Sequence, residues 1–319
     1  MNRRRSYGIA GIEIRIETDD AGFLAEFSDL CGGSAPDRAE VVLQASLDAG
    51  DADEGSLVLI GDDLTDAHEF VLSMASSAFP FVPGPPNPHG VVVALGDPSA
   101  VLFVFSRDGC RFRKVPRWRR MLAHFVFLRA LRLRRDVLFF HAASVAMDGR
   151  GVLLVGPKGS GKTTLSLALG ARGHAVLGDE TAAYVPASRQ LLTMRRPANI
   201  KPGPRSREID RLVRSAGFDR DEDGHVRVPL ERLFGEAAPA RLHVVAFLRG
   251  FAAVPGVVRS QPGREALRSL QPLATTVQDS RSRSLLDMAV LLAEARCFEV
   301  RVGDADATAA ALEAAVAVP

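Results

Sequence analysis

The chain predicts an α/β protein with a P-loop-containing catalytic domain over residues 116–319 and a smaller, mainly β domain over residues 1–115. Three observations carry this. The run Gly156-Pro157-Lys158-Gly159-Ser160-Gly161-Lys162-Thr163 fills every fixed position of the phosphate-loop pattern G-x-x-x-x-G-K-[ST]. An apolar run, 152–155, precedes it and a helix-favouring run, 165–169, follows it, so the order is strand, loop, helix. The N-terminal part is instead built from short alternating or apolar runs separated by Gly, Pro and Asp, the signature of strands and turns.

From the start of the chain, residues 8–17 alternate as one strand through Ile9, Ile12, Ile14 and Ile16. Residues 56–60, 91–95 and 100–105 are apolar strand candidates, and Arg107-Asp108-Gly109 turns the chain into another at 110–115. Two irregular stretches intervene, 51–55 and the proline-rich 81–90, where the missing N–H groups exclude helix. Residues 116–133 read as a helix. It is bordered by Arg111, Arg113, Lys114, Arg117, Arg119, Arg120, Arg129, Arg132, Arg134 and Arg135 against one acid, Asp136. This run reads first as a solvated basic face; docking of an acidic peptide is the next reading, ahead of nucleic acid.

Residues 137–146 read as a strand, and Asp148-Gly149 signals a tight turn into 152–155, so the two should form a hairpin. With the turn centred there, paired residue numbers sum to about 297, which sets His141 across from Gly156, beside the phosphate loop. After the loop helix come a turn at Gly173-His174, a short buried strand and the acids Asp179 and Glu180. A right-handed crossover makes that strand parallel to 152–155, with the acids on the same edge as the loop. Residues 181–186 and 190–194 form a further hairpin leading to the basic loop 195–203. There Arg196 and Lys201, each followed by Pro, are candidates to neutralise a transferring phosphoryl group; an exposed basic loop is the competing reading. Residues 219–224 form an acidic turn, 242–248 a buried strand, 285–295 a helix, 297–302 a strand and 305–316 a final helix.

The chemistry follows from the residue types. Gly156, Pro157, Lys158, Gly159, Ser160, Gly161, Lys162, Thr163 and Thr164 present backbone N–H groups and a helix N-terminus to phosphate oxygens, and Lys162 adds a mobile positive charge. Thr163, Asp179 and Glu180 are candidate Mg²⁺ ligands, directly or through water. One of the two acids is also placed to take a proton from an attacking hydroxyl. A nucleotide and Mg²⁺ are therefore the expected ligands, with His141, Lys162, Asp179 and Arg196 the candidate catalytic residues.

His141, the segment Gly161 to Ser166, the Arg-Gly-His at Arg172 to His174 and the Leu-Gly-Asp-Glu at Leu177 to Glu180 together resemble the catalytic domain of HPr kinase/phosphorylase. They also resemble the nucleotide site of the ATP-dependent phosphoenolpyruvate carboxykinases, which share that fold. The resemblance implies a phosphoenolpyruvate carboxykinase/HPr kinase-like catalytic domain in which the His lies against the phosphates. It further implies that Asp179 is the base activating a serine hydroxyl and that Glu180 serves the metal. HPr kinases usually carry Asp-Asp where this chain has Asp179-Glu180, and their later Glu-x-Arg-Gly-Leu-Gly segment has no counterpart here. The carboxykinases are considerably longer. These departures point away from HPr itself and from decarboxylation, toward the HPr-kinase-like proteins of peptide-modifying systems, some of which phosphorylate a serine of a precursor peptide. The expected activity is transfer of the ATP γ-phosphoryl group to a hydroxyl, first a serine of a peptide or protein. A small-molecule alcohol kinase of the same fold and a non-catalytic nucleotide-sensing module are the alternatives.

Bulk properties agree with an ordinary globular enzyme. The 319 residues suggest about two domains, with 47% hydrophobic and 24% charged residues and a formal net charge of +2, which calls for no polyanion partner. Cys31, Cys110 and Cys297 are widely spaced, without metal-ligand spacing, and read as reduced core thiols. The N-terminus lacks the apolar stretch of a signal peptide, and no apolar run is long enough to span a bilayer, so cytoplasm is the expected compartment. The sequence is compatible with a homo-oligomer.

Overall fold

The computed structural model of the protein describes residues 3–31, 39–50, 53–61, 64, 82–83, 91–94, 103–106, 108–114, 118–194, 196–202, 207–219, 224–260, 263–274 and 281–318. The chain divides into two compact units, Met1–Arg134 and Arg135–Pro319. The division thus follows, rather than precedes, the helix expected over 116–133.

In the first unit, strands β1 (Arg3–Ile9), β2 (Ile12–Thr18), β3 (Val41–Asp48), β4 (Glu54–Ile60), β5 (Val82–Pro83), β6 (Val91–Ala94), β7 (Phe103–Ser106) and β8 (Gly109–Arg113) form one sheet in the order β1-β2-β3-β4-β8-β7-β6-β5. The alternating stretch 8–17 is two strands, not one. Ala10 and Gly11 take φ values of 48° and 76°, which makes a two-residue hairpin turn whose twist matches that of the flanking strands. Ile9 then pairs with Ile12, so both lie on the same face and the buried positions step by three at the reversal, from Tyr7 and Ile9 to Ile12, Ile14 and Ile16. Within the proline-rich stretch, Val82 and Pro83 pair with Ala94 and Val93, and the rest of 81–90 lies outside the described residues. The same holds for 51–52, Leu95, 100–102, 115–117, Arg195, Gly203 and 220–223, on which parts of the sequence expectations fall.

Helix α1 (Ala21–Leu30), which the sequence reading missed, supplies the crossover between the parallel strands β2 and β3. It buries Phe23, Leu24, Phe27 and Leu30 and packs on α2 (Trp118–Leu131), which is why α2 belongs to this unit. Asp20 Oδ1 caps α1 by accepting from Phe23 N at 2.7 Å, and Arg119 of α2 donates to both Asp20 oxygens at 2.8 Å. The basic border of α2 is therefore not simply a solvated face. Arg129 is 1% exposed, and Arg134, 4% exposed, donates to Ala10 O at 2.6 Å and pairs with Glu40. Asp20→Ala removes a cap and an interhelical ion pair together and should lower stability by about 1–2 kcal/mol. Asp20→Asn, which retains a capping oxygen, should cost less, as thermal unfolding of the two variants will show.

The second unit contains β9 (Leu138–Phe140), β10 (Ala143–Met147), β11 (Arg150–Val155), β12 (Ala175–Gly178), β13 (Ala182–Val185), β14 (Gln190–Leu192), β17 (Ala240–Phe251), β18 (Gly256–Ser260) and β19 (Arg296–Val302) in one sheet. A separate pair joins β15 (Ala198–Ile200) and β16 (Val226–Val228). The main sheet runs β12-β10-β11-β17-β14-β13-β9, and β19 joins it parallel to β17 with β18 antiparallel at its side. Its apolar strands are unbroken because both faces are covered. Val152 and Leu154 face α3 (Lys162–Ala171), α4 (Arg207–Ser215) and α8 (Ala305–Ala317), whereas Leu153 and Val155 face α6 (Arg264–Leu270) and α7 (Arg281–Glu294). The short α5 (Leu230–Phe234) closes the first of these layers. The hairpin pairs Ala143 with Leu154 and Met147 with Arg150, the expected register. Arg172 donates to Glu313 and Asp306, and His174 lies 2.8 Å from Glu313, so the Arg-Gly-His motif ties the end of α3 to α8.

Candidate active site

The site grows from one interruption in a long antiparallel pairing. Strands β9 and β10 are consecutive in the chain, as are β12 and β13. Phe140 pairs with Ala182 on one side of the break and Ser144 with Gly178 on the other. Both pairs sum to 322, so one register spans the break and sets 141–143 against 179–181. The strand expected over 137–146 is therefore two strands. His141 N leaves the ladder for Leu273 O at 2.6 Å, and Ala142 N turns back to Phe140 O at 2.8 Å. The hairpin ladder with β11 ends at Ala143, so His141 is not paired with Gly156. Its imidazole instead meets the acid pair, with Nδ1 3.0 Å from Glu180 O, the distance of a ring N–H donating to a carbonyl.

The acids occupy the other side of the gap. Because β10 runs antiparallel to both β11 and β12, those two strands point the same way, as the crossover argument requires, and β12 delivers Asp179 to the loop edge. Gly178 lets this corner close: a Cβ there would stand 2.8 Å from Thr181 O and 3.0 Å from Met194 O. Glu180 takes φ 60°, a left-handed conformation rare for a residue with a side chain, so the alternation of a regular strand does not apply to the pair. Thr181 N bonds back to Asp179 O at 2.7 Å and, with the His141 contact, holds the turn.

Asp179 is 1% exposed. Thr163 Oγ1 donates to its Oδ2 at 2.9 Å, while Oδ1 is buried with no hydrogen-bond partner among the described residues. Burial, with a smaller contribution from the Glu180 charge, pushes its carboxyl up to about 6. Lys162, 7% exposed, donates from Nζ to Gly156 O at 2.7 Å and to Pro157 O at 3.1 Å. Burial lowers its proton affinity, and the Asp179 and Glu180 charges partly restore it. Burial and then the Lys162 charge lower that of His141, favouring the neutral ring. Arg196 donates from Nη1 to Thr181 Oγ1 at 3.0 Å, which brings its charge to the same cluster. Thr181 as its anchor carried no sequence signal beyond adjacency to the acids. Lys201 is exposed, and no hydrogen bond or ion pair links it to the cluster among the described residues.

The loop itself has the form of a phosphate cradle. Gly161 caps α3 with φ 96°, and Gly159, with φ 81°, has open space where its side chain would be. A Cβ on Gly156 would come 2.5 Å from Ser160 Oγ and 3.1 Å from Leu248 O, so the loop packs against its own sheet only with glycine there. Ser160 Oγ is buried without a partner among the described residues, Pro157 and Lys158 are exposed, and Thr163 and Thr164 are half-buried in the first turn of α3. This donor set fits a polyphosphate: a helix N-terminus, a buried ammonium held only by carbonyls and an unpaired hydroxyl. Thr163 Oγ1 gives its proton to Asp179 and keeps its lone pairs, which fits a hard divalent cation. Among the described residues no group of three or more His, Cys, Asp or Glu is placed to hold a metal. Mg²⁺ needs only one or two carboxylates when phosphate and water complete its shell. No helix among the described residues is long and apolar enough to cross a membrane, and the three cysteines are free and buried.

No protein-family model matches the chain, and no curated protein matches it. Among solved structures it is similar to the Hpr(Ser) kinase/phosphatase from Coxiella burnetii, with 15% sequence identity over 56% of this chain and 93% of that one and a TM-score of 0.29. This is a distant structural relationship only.

The raised carboxyl of Asp179 has a consequence for stability. Folding retains a proton on Asp179 that the unfolded chain releases at its usual value of 3.8, so ionisation costs stability as pH rises from about 4 to about 6 and the full cost persists above that. Asp179→Asn, neutral at every pH and still able to accept from Thr163, should gain stability over the unaltered protein across this window. The gain should reach up to about 3 kcal/mol at pH 8 and vanish near pH 4, measured by chemical unfolding without Mg²⁺.

Proposed function

We propose that the second unit is an ATP- and Mg²⁺-dependent phosphotransferase acting on a hydroxyl, with a serine of a peptide or protein as acceptor. One observation carries the reading: Asp179, buried and with Oδ1 unpartnered, shares the hydroxyl of Thr163 at the mouth of a complete phosphate loop. That is the meeting point that phosphoryl transfer needs between a polyphosphate cradle, a metal-side oxygen and a proton acceptor. The acceptor class rests on the resemblance of the His141 to Glu180 motifs to HPr-kinase-like proteins.

Bound ATP with Mg²⁺ would supply the transferable γ-phosphoryl group. The loop N–H groups from Gly159 to Thr164 and the Lys162 ammonium hold phosphate oxygens, Lys162 exchanging its carbonyl partners for them. Thr163 Oγ1 and the Glu180 carboxylate serve the metal side. Asp179 Oδ1 takes the proton of the acceptor hydroxyl; a carboxyl poised at about 6 is ionised at neutral pH yet basic enough for the task. His141 holds the Glu180 carbonyl through Nδ1, and as a neutral ring it keeps a lone pair on Nε2 for a second hydrogen bond. Arg196, anchored on Thr181, offers positive charge to the phosphoryl group in flight.

The test is transfer of label from [γ-³²P]ATP to a peptide library and, separately, to a pool of small alcohols. Label in the serine of a peptide is expected; label only in a metabolite would change the acceptor, and none in either would reject the kinase reading. Lys162→Ala should abolish transfer while leaving the thermal unfolding profile in place, since among the described residues its Nζ bonds only to carbonyls of the loop itself. His141→Ala should slow transfer by roughly 10²–10⁴-fold if the ring takes part in proton movement. A smaller fall, with KM for Mg²⁺·ATP raised in step, would reduce it to a residue that positions Glu180.

A further inference from the structure

We infer that Phe251 is the platform on which the base of the bound nucleotide stacks, so that the loop reads the base as well as the phosphates. The inference rests on the nucleotide-binding reading of the phosphate loop. Its basis is the strand order around that loop. β11 carries the loop, with β10 and β12 on one side and β17 on the other. Of the candidate site residues, His141, Asp179 and Glu180 lie next to β10 and β12. The opposite flank is formed by the end of β17, which runs parallel to β11 and therefore finishes at the same edge of the sheet. Ligands of open α/β sheets lie beyond these carboxyl ends.

At this end β17 approaches the loop closely and then turns out. Leu248 O would stand 3.1 Å from a Cβ on Gly156, so the backbone of β17 abuts the start of the loop. Gly250, with φ 107°, takes a conformation that side-chain-bearing residues rarely adopt, and it breaks the regular pairing with β19 between Leu248 and Phe251. Pairing resumes as Phe251 with Val302, and Ala252 N donates to Val302 O at 2.9 Å, which fixes the strand end. The ring reaches the N-cap of α3: a Cβ on Gly161 would lie 3.6 Å from Phe251 Cε1 and 3.4 Å from Val302 Cγ1. Val302 is buried, yet Phe251 is 40% exposed. An aromatic ring 40% exposed at the rim of a phosphate cradle, with the acids on the far flank, matches the polarity of a nucleotide. The transferable phosphate faces Asp179, and the base, a flat π-system, faces the ring.

Equilibrium binding of Mg²⁺·ATP and of Mg²⁺·tripolyphosphate, which lacks base and sugar, to the full chain and to Phe251→Ala and Phe251→Tyr tests this. The expected result is ATP affinity weakened about tenfold or more in Phe251→Ala and retained in Phe251→Tyr, with tripolyphosphate affinity unchanged in both. Unchanged ATP affinity in Phe251→Ala overturns the inference. So does a parallel loss of both ligands, which would make Phe251 a support of the loop. Unaltered protein that binds tripolyphosphate as tightly as ATP overturns the base platform alone, whereas failure to bind either ligand overturns the nucleotide reading beneath it.

Discussion

The second unit is organised around a gap in an otherwise continuous antiparallel pairing, the place where 141–143 face 179–181 without forming ladder bonds. Freed from the ladder, backbone groups on both sides must find other partners, since buried unpaired amides and carbonyls are costly. They find them locally: His141 N goes to Leu273, Thr181 N to Asp179, and the His141 ring to the Glu180 carbonyl. Each substitute bond fixes a side chain that a regular strand would have turned to one face or the other. The left-handed Glu180 is the residue where this strain is held.

The charged groups of the cluster rest on hydrogen bonds rather than on a direct ion pair. No direct Lys162–Asp179 contact is formed; the ammonium rests on two carbonyls and the carboxylate on a hydroxyl. Both groups are disfavoured in their charged forms by desolvation, Lys162 moving down and Asp179 up. A buried cation and a buried anion, each short of partners, form a site whose polar groups are better satisfied by a ligand carrying phosphate and metal than by the protein alone. Stability is given up at the position where the proposed function requires it.

Other polar contacts of the second unit tie together the elements that surround this cluster. Arg172 and His174 join the C-terminal end of the loop helix to α8 through Glu313, and Arg249 links β17 to Ser269 and Glu299. The motif residues Arg172 and His174 thus hold the helix that presents the loop, and none of these contacts touches the acids. In the first unit the arginines around α2 have a similar internal use, which a count of basic residues would read as a surface.

How much of this was legible in the sequence depends on the range of the interaction. The phosphate loop, its preceding strand, its helix and the return strand ending in Asp179-Glu180 follow from residues close together in the chain, whose glycines and apolar runs encode local conformation directly. The hairpin register over 143–154 follows in the same way from one tight turn. The pairing of β9 with β13, the bend that pulls His141 toward Glu180 instead of Gly156, and the arrival of Phe251 beside Gly161 depend on strands distant in sequence, and no local pattern records them. The Ala10-Gly11 reversal does leave a local mark, since the step of three from Ile9 to Ile12 breaks the period of two that the later isoleucines keep. The sequence by itself determined that a loop of the phosphate-loop pattern and two acids share one sheet edge. Only the tertiary structure decided which atoms of those residues are buried and unpaired, because burial is a property of the layers on both faces of the sheet and not of any one segment.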